Sequence, residues 1–142
     1  MHGGRFNPKD TAALYLSLAT GTAVLEGSQG FGNRFPPLTL VTYDLDCSDL
    51  LDLTKPSGLK KAKTSPAVLG CKWALCAAQG QEVPSWQLSM RLIAKGVAGI
   101  IVPSFAKGAR AGDTNLVLWT WSEDLPHQVR VFDPDERLPR GP

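Results

Sequence analysis

A chain of 142 residues that is 43% hydrophobic has the length of one domain and enough apolar surface for a core, which excludes disorder as its overall state. Fifteen Lys and Arg against thirteen Asp and Glu leave a formal charge of +2, with no basic run long enough to track a phosphate backbone, so direct nucleic-acid binding is not expected. No stretch reaches the ~18 consecutive apolar residues of a membrane span, and the N-terminus lacks the basic-then-apolar order of a signal peptide, so the expectation is a cytoplasmic protein without membrane contact.

The segment GGRFNPKDTAALYLSLATGTAVLE sets Arg5, Tyr15 and Glu26 among residues that are mostly small, apolar or hydroxylated. Residues 12–18 alternate as a strand does, and Thr20 can cap a short helix running toward Glu26. Arg5 then stands at the mouth of a strand, Tyr15 inside it, and Glu26 near the end of the helix. Gly27, Gly30 and Gly32 punctuate a turn; GSQGFG resembles a dinucleotide-binding GxGxxG only superficially, because no helix is predicted to open there. Residues 38–45 (LTLVTYDL) predict a second strand, and Pro36 and Pro37 stop a helix from running into it.

Leu50, Leu51 and Leu53 make a short apolar patch ending at Pro56. The following KPSGLKKAKTS reads as a flexible connection or a frayed helix, with Lys60, Lys61 and Lys63 on a solvated face. Ser65 and Pro66 open a helical segment through Ala78 that aligns Leu69, Trp73 and Cys76. Ser85 caps a second helix through Lys95, with Trp86, Met90 and Ile93 as its apolar stripe and Gly96 as its stop. Cys47, Cys71 and Cys76 are odd in number, and the last two have no His or acidic ligand close by in sequence. Buried reduced thiols are expected, with no disulfide and no metal site.

Residues 97–102 predict a short strand ended by Pro103, with Ser104 just beyond it, where binding groups commonly emerge. A loop carrying Phe105, Lys107, Arg110, Asp113 and Asn115 leads to a strand over residues 116–121, and residues 129–132 predict the last one. Strands, two helices and further strands describe an α+β fold in a single domain over residues 1–142.

VPSFAKG lacks the Gly-x-Ser-x-Gly order of a nucleophile elbow, and a Walker A pattern is absent. His2 is terminal and His127 lies in a polar turn, both read as exposed and inert, so no hydrolase triad assembles. A set of Arg5, Tyr15, Glu26 and Ser104 has another chemical meaning. Arg clamps phosphate bidentately, Tyr stacks on a ring, Ser holds an amide or hydroxyl, and Glu stabilises positive charge developing at a sugar carbon. Together these roles fit cleavage of a nicotinamide–ribose bond, whose transition state resembles the cation of sugar hydrolysis. Each residue also has a plain structural reading: a surface charge, a core ring, a solvent-facing helix end and a strand cap.

The opening segment resembles the first signature of RES domains, GVAGIIVPSFAKGARAGDTNLVLW resembles their closing signature, and TYDLDCSDLLDLTKP resembles their middle strand and Asp-Leu-Thr turn. The resemblance runs from about Gly3 to Phe132. It implies an ADP-ribosyltransferase-like fold of mixed sheets with flanking helices, and a bacterial toxin that acts on NAD as substrate without a metal. NAD would be broken down by hydrolysis, or by phosphorolysis with inorganic phosphate as co-substrate, or its ADP-ribose would pass to a host protein acceptor. Glu26 would be the central catalytic carboxylate, with Arg5 at the NAD phosphates or ribose, Tyr15 in the nicotinamide pocket and Ser104 positioning the nicotinamide end. Asn115 reads as a loop-fixing residue. The implied partners are a cognate antitoxin with a DNA-binding domain and a second copy of the chain. Many family members carry a first strand and a further arginine before the Gly-Gly-Arg segment, where this chain starts; a non-catalytic antitoxin-binding protein is the remaining alternative.

Overall fold

The computed structural model describes residues 3–28 and 37–139. β1 (Leu14–Ser17) leads into α1 (Thr20–Gly27), followed by β2 (Tyr43–Cys47) and β3 (Leu50–Asp52). Four helices come next, α2 (Pro56–Ala62), α3 (Pro66–Leu69), α4 (Trp73–Ala78) and α5 (Pro84–Ala94), and the chain closes with β4 (Gly99–Pro103), β5 (Thr114–Leu118) and β6 (His127–Val131). The four-stranded sheet has the order β1-β5-β4-β3, while β2 and β6 form a separate antiparallel pair. β3 and β4 are parallel and the other ladders antiparallel, so the fold is α+β with a mixed sheet. A parallel pair requires a long crossover, and α2 to α5 supply it.

Side-chain alternation divides the four-stranded sheet into two faces. Leu116 and Leu118 of β5, with Leu14, Leu16 and Ile101, face β2 and β6 and pack on Tyr43, Cys47 and Val129. Val117, Ile100 and Val102 face the helices and pack with Phe6, Leu53, Leu69, Leu88, Leu92 and Trp119. In the β1–β5 register Tyr15 lies opposite Val117 and Ser17 opposite Asn115. That puts Tyr15, Ser17 and Asn115 on the helix-facing side.

Several local expectations change once partners are present. The second strand begins at Tyr43, because only Tyr43 to Cys47 find a ladder on β6; Leu38 and Leu40, in the β-rich run before it, are exposed. The Leu50–Leu53 patch is the strand β3, and KPSGLKKAKTS contains the ordered helix α2 with Pro56 in its first turn and Lys63 in the left-handed cap. Gly58 and Ala62 are buried, whereas Lys60 and Lys61 lie exposed in the last turn, where cations suit the helix dipole. The helix expected through Ala78 breaks between Leu69 and Trp73, and the break frees two carbonyls that Arg5 takes up.

Ala19 rather than Thr20 is the N-cap of α1, and Val83 rather than Ser85 that of α5. The buried face of α5 is Ser85, Leu88, Ser89 and Leu92, while Met90 of the expected stripe is 46% exposed. Serines qualify because their hydroxyls find carbonyls: Ser89 donates to Ser85 and Ser85 to Arg5. β5 runs from Thr114, which brings Asn115 out of the expected loop and into the sheet, and Trp119 leaves the strand for the core. His127 belongs to β6 rather than a turn and lies 3.1 Å from the Asp49 carboxylate. The three cysteines are free but half-buried. Gly30 and Gly32 of GSQGFG lie outside the described residues.

Candidate functional site

The turn Gly4 to Asn7 enters the core before β1 and is held by side chains from distant elements. Trp86 Nε1 donates to the carbonyl of Gly4, Ser85 Oγ to that of Arg5, and Trp119 Nε1 to that of Phe6. Three consecutive carbonyls are thereby satisfied without a sheet partner, as buried backbone requires. Gly4 has to be small here: a Cβ would stand 2.7 Å from Asn7 Oδ1 and 2.8 Å from the Tyr15 oxygen.

Arg5 projects from this turn. Its Nη1 donates to the carbonyls of Cys71 at 2.7 Å and Leu69 at 3.2 Å, and the guanidinium lies over the Phe105 ring, 4.4 Å from the centroid. Its Nε and Nη2 bond none of the described residues. Burial pulls the guanidinium pKa down, while the fields of Cys71, Glu26 and Tyr15 act in the opposite direction. Arg5 is therefore both a brace for the α3–α4 break and a cation on a cavity wall.

Tyr15 is 43% exposed, yet its hydroxyl is engaged by two partners. The hydroxyl donates to Asn7 Oδ1 at 2.6 Å and accepts from the Phe6 amide at 2.9 Å. Burial pushes the phenol pKa up to about 12, against the opposing effects of the Phe6 amide and Arg5. A phenol whose folded pKa exceeds its unfolded value contributes stability below pH ~10, lost as pH rises toward the folded value. Tyr15→Phe should therefore flatten the fall in melting temperature above pH 10. At neutral pH it should cost about 1–3 kcal/mol, because Asn7, only 5% exposed, loses a partner. Thermal melts of both proteins across pH 7–11 check this, and identical curves would contradict it.

Glu26 reaches back from the last turn of α1. Its Oε1 accepts from Ser104 Oγ and from Asn115 Nδ2, each at 2.6 Å, and Asn115 Oδ1 in turn accepts from Ser17 Oγ at 2.9 Å. Ser104 also receives the Ala106 amide at 3.3 Å. The loop bearing Ser104 is anchored by Asp113, whose carboxylate accepts from the Arg110 amide at 2.7 Å and from the buried Thr22 hydroxyl of α1 at 2.9 Å. Those two bonds hold the Asp113 carboxyl below the usual carboxylate range.

Two cavities meet at Tyr15 and Glu26. One of about 340 Å³ is lined by Arg5, Phe6, Tyr15, Glu26, Trp73, Phe105, Asn115 and neighbouring strand residues. The other, about 750 Å³, lies between β1, α1 and residues 38–45, and is mostly apolar. Arg5, Tyr15 and Glu26 thus border one space, joined there by Trp73, Phe105 and Asn115 from distant parts of the chain. Ser104 reaches the Glu26 carboxylate but is not among the residues lining either cavity. Asn115, read from sequence as a loop-fixing residue, is a strand residue bonded to Glu26. Its signal was the strand period itself, since the alternations Tyr15–Ser17 and Asn115–Val117 mark the face these polar groups share. Trp73, Phe105, Asn7 and Ser17 were missed as contributors. Among the described residues no cluster of His, Cys, Asp and Glu is arranged to hold a metal ion, and no helix is long and apolar enough to cross a membrane.

Fold and site define an α+β domain with a carboxylate-centred cleft flanked by an arginine and aromatic rings. The RES domain family model matches residues 1–141, and the chain belongs to that family. The family is generally associated with toxin–antitoxin systems and NAD-related activity. No curated protein and no solved structure matches the chain.

Proposed function

We propose that this protein cleaves the nicotinamide–ribose bond of NAD, with phosphate or water as acceptor, and serves as a toxin neutralised by a cognate antitoxin. The observation that carries the reading is Glu26, a carboxylate at the junction of two cavities with Arg5, Tyr15, Trp73 and Phe105 around it. Both volumes fall in the range of small-molecule sites, and an aromatic lining with a few polar groups is what such sites use.

The bond in question joins a cationic pyridinium to the ribose. Cleavage returns the bonding pair to the ring nitrogen and releases neutral nicotinamide, so no proton donor is needed at that atom. The positive charge passes to the ribose carbon, where a facing carboxylate stabilises it. An oxygen of water or phosphate then bonds to that carbon, and a proton from water leaves to solvent. Aromatic faces of Tyr15, Trp73 and Phe105 suit a flat cation. Arg5 has Nε and Nη2 for a phosphate or ribose oxygen. Ser104 acts in this reading by holding Glu26, and the larger cavity offers volume for the adenosine half.

The test is incubation of the purified chain with NAD, with and without phosphate, following nicotinamide release and the ADP-ribose product. Release is expected, and stimulation by phosphate would assign phosphorolysis. A discrete labelled band from labelled NAD in cell lysate, without bulk NAD loss, would replace cleavage by transfer to a protein. No NAD binding in calorimetry would overturn the proposal in favour of a non-catalytic antitoxin-binding protein.

A further inference from the structure

The Glu26 carboxylate receives both of its hydrogen bonds on one oxygen. Oε1 takes Ser104 and Asn115, whereas Oε2 bonds none of the described residues. An Asn side chain has nearly the same shape in either orientation, and only its partners decide which end faces which way. Here the Glu26 carboxylate decides, because it can only accept, and the pair is completed by Ser17. Its hydroxyl donates to Asn115 Oδ1, which leaves Nδ2 for Glu26. The flipped amide would set an oxygen against a carboxylate oxygen and lose the bond to Glu26, although Ser17 could accept from the flipped Nδ2. Ser17 and Asn115 are directly opposed across the β1–β5 ladder, where facing Cβ atoms lie about 5 Å apart, so the contact is built into the register.

We infer that Ser17 and Asn115 are positioning residues for Glu26: the Ser17 hydroxyl braces the Asn115 amide, which engages Oε1 and leaves Oε2 as the oxygen that meets the substrate. The catalytic part of this statement rests on the proposed NAD cleavage. The relay itself does not, and the two are tested separately.

The first measurement needs no activity. Asn115→Asp would place a second carboxylate against Oε1. Like charges so close cannot both ionise at low cost, so one carboxyl has its folded pKa raised above its unfolded value. Stability is then retained at low pH and lost as pH rises, and the melting temperature of this variant should fall by about 5 °C more than that of the wild type between pH 5 and 8. The double substitution Glu26→Gln/Asn115→Asp exchanges amide and carboxylate, rebuilds the bond and should restore a flat profile. Among the described residues, Arg5 and Tyr15 share a cavity wall with Glu26, Tyr43 lines the larger cavity with it, and Asp113 sits on the loop carrying Ser104. The raised Tyr15 phenol, the lowered Asp113 carboxyl and the guanidinium each keep one charge state across that window.

The second measurement is kinetic. Ser17→Ala should lower kcat about fivefold, the loss expected of one hydrogen bond acting through another residue, with KM within about twofold. Ser17→Thr, which keeps the hydroxyl, should recover most of it. A Ser17 that only touched substrate would raise KM instead. The relay is overturned if Asn115→Asp follows the wild-type melting profile, or if the double substitution is no better than the sum of the singles. Its positioning role is overturned if Ser17→Ala changes KM alone. A wild type that releases no nicotinamide would sink the functional reading, while the melting profiles would still decide the relay.

Discussion

Glu26→Gln is expected to reduce nicotinamide release from NAD by about 10²- to 10³-fold while leaving the melting temperature within a few degrees of wild type. Gln has the same shape and keeps an oxygen where Ser104 Oγ and Asn115 Nδ2 donate, so the bonds that fasten α1 to β5 and to the loop after β4 survive. Only the charge is lost. A unit charge about 4 Å from a developing cation is worth about 4 kcal/mol at an effective dielectric of 20, which converts to about 10³-fold in rate. The figure applies to the transition state, because bound NAD already carries its positive charge on the nicotinamide ring and moves it to the ribose carbon only as the bond breaks. The effect should therefore appear in kcat, with KM little changed. Equal rates for the variant and the wild type would remove Glu26 from the chemistry.

The second large effect is on the fold. Ala is the best helix former and normally stabilises a helix when it replaces Gly, by about 1 kcal/mol. At Gly58 the sign should reverse. A Cβ there would fall inside the carbonyl group of Asp52 and against the amide of Leu53, so α2 would have to move away from the end of β3. The clash is with backbone, which cannot turn aside as a flexible side chain would. Leu53 is 1% exposed and belongs to the helix-side core, and β3 holds the edge of the sheet by a short parallel ladder. Gly58→Ala is expected to cost about 3 kcal/mol or more and to lower the melting temperature by about 10 °C. Gly21 in α1 is the matched control, since a Cβ there meets nothing within 4 Å. Gly21→Ala should raise the melting temperature by a few degrees. The same change in the same direction at both sites would show that α2 does not pack on Asp52.

The elements that were legible in sequence are those whose local pattern and tertiary role agree. LYLS alternates, pairs with β5 and is a strand; the helix toward Glu26 follows at once; Gly96, with φ of +82°, closes α5 as glycine commonly does. Where the reading slipped, partners overrode propensity. Residues 38–42 have strand composition but no ladder. Gly58 suggests flexibility until its burial against β3 is seen, and the buried serines of α5 displace the expected Trp86–Met90–Ile93 stripe because their hydroxyls have carbonyls to reach.

The candidate site divides in the same way. Composition and spacing alone marked Arg5, Tyr15, Glu26 and Ser104, because costly polar groups beside a strand and at helix and strand ends are unusual enough to notice, and the resemblance to RES domains rested on the longer segments around them and on TYDLDCSDLLDLTKP. Which groups touch is decided by sheet register and loop closure over separations of 78 and 89 residues. Ser104 bonds the Glu26 carboxylate, Arg5 is partly consumed by the carbonyls of Leu69 and Cys71, and Asn115 moves from loop to strand. A linear sequence determines which side chains are available and the period on which they repeat. The choice of which oxygen of Glu26 is occupied belongs to the tertiary structure, because β1, β5 and the end of β4 must be packed together before their side chains can meet.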